Sequence, residues 1–244
     1  MKRTTALAAA SAVALVLTSV LTACSSPEPD ATGFKPESSP STSRARELTP
    51  DQQPAKLMVT DADVSGYDVQ PPSDDSVFAE SQDDVTVDKP ACAPLAYAMN
   101  QLPLGEPKAD LTRVLSNKEN GLNGAHTYIT LTTYASGGAK TALAGLGKAV
   151  DACGSGFTAK ADGTSTYDSV TAEDPVEETG DETLPFASEL TFRGATHTLH
   201  TQAVRNDDVL AVFFSVNGLA IANSRPSDAE LEPAVVKAQN AKLG

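Results

Sequence analysis

Val209-Leu210-Ala211-Val212-Phe213-Phe214 decides the fold class. Successive strand residues point to opposite faces, so this run is apolar on both and belongs centrally in a sheet. Upstream of it, residues 183–193 and 196–205 read as two further long strands. Asn206-Asp207 supplies the turn into the last one, although Asp is weaker than Gly for a two-residue loop. Shorter strands are expected over 157–161 and 166–171, and a short edge strand over 85–88. Residues 110–117 and 125–134 form another pair across the turn Gly121-Leu122-Asn123-Gly124. In the second of these, Tyr128, Thr130, Thr132 and Tyr134 share one face, and Thr127, Ile129, Leu131 and Thr133 share the other.

Helical spacing appears between the strands. Cys92, Leu95, Ala96, Met99 and Leu102 form one apolar stripe, with Pro94 in the first turn and Pro103 and Gly105 as the stop. Leu143, Leu146, Val150 and Cys153 form a second, on a helix running from Gly137-Gly138 to about Ala152. Pro226-Ser227-Asp228 reads as the cap of a final helix reaching Lys242, with Leu231, Val235 and Ala238 inward. Residues 56–59 look like a short helical turn. The whole is an α+β domain over 55–244, a mainly antiparallel β-sheet flanked by a few α-helices.

The chain ahead of this domain is of another kind. Lys2 and Arg3, an apolar run and then Leu21-Thr22-Ala23-Cys24 read as a bacterial lipoprotein signal over 1–23. It implies cleavage before Cys24 and acylation of that residue, which anchors the protein to the cell membrane on its extracytoplasmic face. An uncleaved anchor over 4–23 would leave the remainder in the same compartment. Residues 24–54, rich in Pro and Ser with Phe34 as the only aromatic, read as a disordered tether. The formal charge is −14, from 32 acidic and 18 basic residues. Loss of Lys2 and Arg3 makes the remainder more acidic still, which argues against nucleic-acid partners.

Three cysteines are present. With Cys24 lipidated, Cys92 and Cys153 remain, each on the core stripe of a helix in an exported chain, so a disulfide between them is expected. Closing that loop stabilises the fold by about 4 kcal/mol on the chain-entropy model.

These features come in a particular order: a short helix, Asp63-Val64-Ser65-Gly66-Tyr67, a Cys-led helix and two strands. Then follow a helix ending Ala149-Val150-Asp151-Ala152-Cys153 and Gly180-Asp181-Glu182 before paired strands. The sequence resembles the extracellular sensor-like domain of actinobacterial PknH-type receptor kinases, over about 55–242. The resemblance implies an antiparallel sheet flanked by helices and a cleft that takes a ligand. Those domains are similar in carrying two disulfides, whereas this chain can form one. It also has no kinase domain.

Motifs for chemistry are sparse. Asp61, Asp63, Ser65 and Gly66 match the first positions of a calcium loop, but Pro72 stands where its bidentate Glu belongs. His197 and His200 are three apart on a strand and point to opposite faces, unsuited to a shared metal. There is no nucleophile elbow, phosphate-cradling loop or dinucleotide fingerprint. No catalytic residue, metal ligand or cofactor is therefore assigned. The candidate ligand face is Tyr128, Thr130, Thr132 and Tyr134, where aromatics and hydroxyls mix. The expected function is binding of a small ligand or envelope component without catalysis. A protein-interaction module of the cell envelope is the alternative, and an envelope hydrolase the third.

Overall fold

The computed structural model describes Thr49 and residues 52–74 and 77–244. The lipobox with Cys24, and the tether apart from Thr49 and residues 52–54, lie outside the described residues. All the described residues belong to one compact unit. Its first elements are helix α1 (Gln52–Leu57), strand β1 (Tyr67–Gln70), strand β2 (Thr86–Val87) and helix α2 (Ala93–Ala98). Next come β3 (Ala109–Asn117), β4 (His126–Thr133), helix α3 (Gly138–Ala152), β5 (Phe157–Lys160) and β6 (Thr164–Ala172). The chain ends with β7 (Glu182–Phe192), β8 (Ala195–Asn206), β9 (Val209–Val216), helix α4 (Gly218–Ala222), β10 (Ser227–Ala229) and helix α5 (Pro233–Leu243).

The strands form one sheet in the order β1-β3-β4-β9-β8-β7-β6-β5-β2. Every neighbour along that path is antiparallel. The apolar run 209–214 lies on β9, between β4 and β8, as its two apolar faces require. Strand β8 is paired to β9 over Thr201–Asn206 only. Along its first half the parallel strand β10 takes β9's place, Ser227 opposite His197 and Ala229 opposite Leu199.

Alternation splits the core into two layers. Tyr128, Leu210, Val212 and Phe214 join α2 and α3 on one side of the sheet. Ile129, Leu131, Ala211 and Phe213 join Met58, Val59, Val235 and Val236 on the other. Full burial of a Phe or Leu side chain is worth roughly 2 kcal/mol or more, so a strand buried on both faces anchors both layers. On the second side, fully buried Gln239 fastens α5 to the end of α1: it accepts from the Val59 N–H at 3.0 Å and donates to the Leu57 carbonyl at 2.9 Å.

Cys92 and Cys153 form the expected disulfide, with Cα atoms 5.9 Å apart, and both are sealed from solvent. It joins the residue before α2 to the residue after α3. The turn out of α3 then needs Gly156, whose φ is 73° and whose missing Cβ leaves room for the Tyr167 carbonyl.

Three local expectations shift. Helix α2 stops four residues short of Leu102, because Gln101 adopts φ 63° and lets the Leu102 N–H close on the Tyr97 carbonyl at 3.1 Å. The β8–β9 turn is Asp207-Asp208, one residue later than expected, with Asp207 at φ 51°. Ser227 and Asp228 do not cap the last helix: they lie on β10, and α5 starts at Pro233, whose ring fits a first helical turn. At the start of β7, Asp181 and Glu182 both pair with Arg205, at 2.7 and 2.8 Å.

Candidate functional site

A cavity of about 580 Å³ opens where the sheet meets the turn after α2. Its position follows from the antiparallel register. The starts of β4, β6 and β8 and the ends of β7 and β9 fall at one end of the sheet. There the chain leaving α2, Met99 to Gln101, crosses over the face shared by Tyr128 and Phe214. Helix α4 closes the side through Gly218 and Ile221.

The floor is apolar. Tyr128 on β4 lies beside its register partner Phe214 on β9, ring centroids 6.2 Å apart. Leu190, Leu199, Val216 and Ile221 extend the floor on either side. The rim is polar: Thr164, Ser165 and Thr166 from β6, Thr191 from β7, and Asn100 and Gln101 after α2. Tyr167 forms the inner corner, stacked on Phe157 with centroids 4.7 Å apart. Its hydroxyl accepts from the Asn100 amide at 3.4 Å, and burial pushes its pKa up, so it stays neutral.

Of the four candidate ligand residues, Tyr128 lines this cavity; Thr130, Thr132 and Tyr134 do not. The face they share is not wet, because α2 and α3 cover it. Thr130 shares a 3.0 Å hydrogen bond with Thr112, and the Tyr134 hydroxyl donates to the Leu104 carbonyl at 2.8 Å. Sequence alternation grouped these residues correctly but carried no information about which of them a helix would cover. Phe214, Leu199 and Leu190 were missed as cavity residues, since only strand register brings them together.

Beside the floor, on the same face of β7 and β8, three polar atoms are buried without a hydrogen-bond partner among the described residues: Ser188 Oγ, His197 Nε2 and Thr201 Oγ1. His197 Nδ1 contacts Ser227 Oγ at 2.9 Å. Desolvation pulls the imidazole pKa below its usual value, so the ring is neutral. A Ser–His contact on its own lacks the third group that would orient the imidazole for nucleophilic chemistry.

His200 points to the opposite side of β8. Its Nδ1 meets Glu173 Oε2 at 2.8 Å, and its Nε2 meets Asp228 Oδ1 at 2.7 Å. The two carboxylates lie on opposite edges of the ring, an ion-pair clasp and not a metal site. The calcium-loop residues are likewise spent locally. Asp61 accepts from the Val69 N–H at 2.7 Å, and Asp63 pairs with Thr60 and Lys242. Among the described residues no group of three His, Cys, Asp or Glu is placed to hold a metal ion, and no helix is long and apolar enough to cross a membrane.

No protein-family model matches the chain, and no curated protein is similar to it in sequence. Among solved structures it bears a weak likeness to the extracellular domain of PknH from Mycobacterium tuberculosis. The identity is 10%, the TM-score 0.43, and the match covers 79% of this chain and 93% of that one.

Proposed function

We propose that this chain is an extracytoplasmic, lipid-anchored binding protein that holds a small molecule in the cavity floored by Tyr128 and Phe214, without catalysis. The observation that carries this reading is the cavity itself. It is concave, with an aromatic and aliphatic floor and a ring of hydroxyl and amide groups, the chemistry typical of small-molecule sites. Its size falls within their usual range of roughly 300–1,000 Å³. A larger cavity of about 910 Å³ lies between α2 and α3, but backbone and small side chains such as Gly137, Gly138, Ala142 and Gly145 form much of its wall. It offers a ligand less to grip.

The compartment is supported by the disulfide, since such bonds persist in oxidising surroundings and are rare in the cytosol. The Leu21-Thr22-Ala23-Cys24 stretch supplies the anchor in this reading. Cys24→Ala is expected to abolish acyl labelling and free the protein from the membrane; continued labelling would refute the anchor.

Binding is tested on the exported Cys24→Ala chain with Nile red, an uncharged dye that brightens in apolar surroundings. Saturable binding that Ile221→Trp weakens by about tenfold or more is expected, since the indole fills the space the dye needs. Unsaturable binding, or binding indifferent to Ile221→Trp, would overturn the proposal.

A further inference from the structure

We infer that the cavity selects uncharged amphiphiles: molecules with an apolar body and a hydroxyl- or amide-bearing head, and no net charge. This selectivity presupposes that the cavity takes a ligand at all, as proposed above.

The inference stands on what the lining omits. The chain carries 50 charged side chains in 244 residues by its composition of 32 acidic and 18 basic. Among the described residues, none of them and no histidine lines the Tyr128–Phe214 cavity. Three other cavities carry charge, whereas a fourth of about 290 Å³, which shares Tyr128, Val216 and Gly218 with this one, carries His126 and no charged side chain. Glu80, Asp83 and Asp110 line one of about 480 Å³, Glu106 lines the 910 Å³ cavity, and Lys140 and Glu182 line one of about 260 Å³. The polar groups buried beside the floor, Ser188, His197 and Thr201, are uncharged as well.

Placing an ion in such a site removes its hydration and offers no counter-charge in return, which costs far more than placing a neutral polar group that finds hydrogen bonds. The rim offers those bonds. Ser165, on the same face of β6 as Tyr167, presents a hydroxyl able to donate and accept. The Asn100 amide oxygen adds an acceptor on the facing side, its nitrogen being held by the Ala96 carbonyl and the Tyr167 hydroxyl. A polyol or amide head matches that set. The apolar body lies against Tyr128, Leu199 and Phe214. Arg193 is the nearby exception: its guanidinium lies over the Phe192 ring, 5.0 Å from the centroid, but it does not line the cavity.

The test is displacement of Nile red from the Cys24→Ala chain by three probes with eight-carbon tails and different heads: monooctanoylglycerol, octanoate and octylamine. The neutral glyceride is expected to displace the dye at a concentration about tenfold lower than either ion. Ser165→Lys is expected to move the preference to octanoate, by supplying the counter-charge the rim lacks. If octanoate competes as well as the glyceride in the unmodified cavity, and Arg193→Gln removes that competition, the site is anion-selective and the inference is overturned while the binding function stands. If octylamine competes equally, the selectivity is likewise refuted. If Nile red itself fails to bind saturably, the ligand-binding reading falls together with the inference.

Discussion

The Tyr134 hydroxyl donates a 2.8 Å hydrogen bond to the carbonyl oxygen of Leu104, tying the end of β4 to the chain that leaves α2. Both residues are buried, so the carbonyl has no easy replacement from solvent. Tyr134→Phe keeps the ring and leaves that acceptor unsatisfied, at a cost of about 1–3 kcal/mol in urea unfolding. Nile red affinity is expected to be unchanged, because Tyr134 does not line the ligand cavity. Weakened binding at unchanged stability would return Tyr134 to the ligand site.

The Cys92–Cys153 bond closes a loop of 61 residues and holds α2 against α3. On the chain-entropy model its loss costs about 4 kcal/mol, a large share of the stability of an ordinary domain. The Cys92→Ala/Cys153→Ala chain is expected to unfold at a lower urea midpoint and with a larger m, because its unfolded state is no longer held compact by the cross-link. A midpoint equal to that of the unmodified chain would mean that packing alone fixes the two helices.

How far the sequence could be read depends on how local the signal is. The run 209–214 announced a central strand because burial on both faces is written in its composition. The stripes Leu95–Met99 and Leu143–Leu146–Val150 announced helices for the same reason. Ser227 and Asp228 misled: Ser-Asp ahead of an apolar run is a helix-cap pattern, yet here Ser227 serves His197 and Asp228 serves His200. Those partners lie 30 and 28 residues away, beyond any window of periodicity. The cavity was legible only at Tyr128. Its partners Phe214, Leu199 and Leu190 come from three other strands, and register between distant strands is not visible in any one of them.

Gln202 is fully buried and pins the segment between β6 and β7 against the back of β8. Its Oε1 accepts from the Val176 N–H at 2.9 Å, and its Nε2 donates to the Glu177 carbonyl at 3.0 Å. Gln202→Leu preserves bulk but strands both backbone groups, with an expected cost of about 1–3 kcal/mol. The loss is expected to be local first. A glutamate-specific protease should cleave after Glu173, Glu177 or Glu178 faster than in the unmodified chain. A fall in stability without faster cleavage there would show that Gln202 supports the core and not the segment.

His200 gives the domain a pH dependence of predictable sign. Desolvation on its own would lower the imidazole pKa, but the hydrogen bonds to Asp228 and Glu173, and the charges of those carboxylates, outweigh it and raise the pKa. A raised folded-state pKa means that this stabilisation is fully present below the unfolded value, about 6.5, and is lost as pH rises through the higher folded value. His197 works in the opposite sense, since burial lowers its pKa, so its contribution fades as pH falls below that same unfolded value. Comparing the unmodified chain with His200→Gln cancels the His197 term. The unmodified chain is expected to gain stability over His200→Gln on going from about pH 8 to about pH 6, by up to about 1 kcal/mol for each exposed pair. Asp228→Asn is expected to remove part of that gain, and added salt to shrink it further. A stability difference that is flat across that range, or that grows toward alkaline pH, would show that the clasp holds β10 without the imidazolium charge.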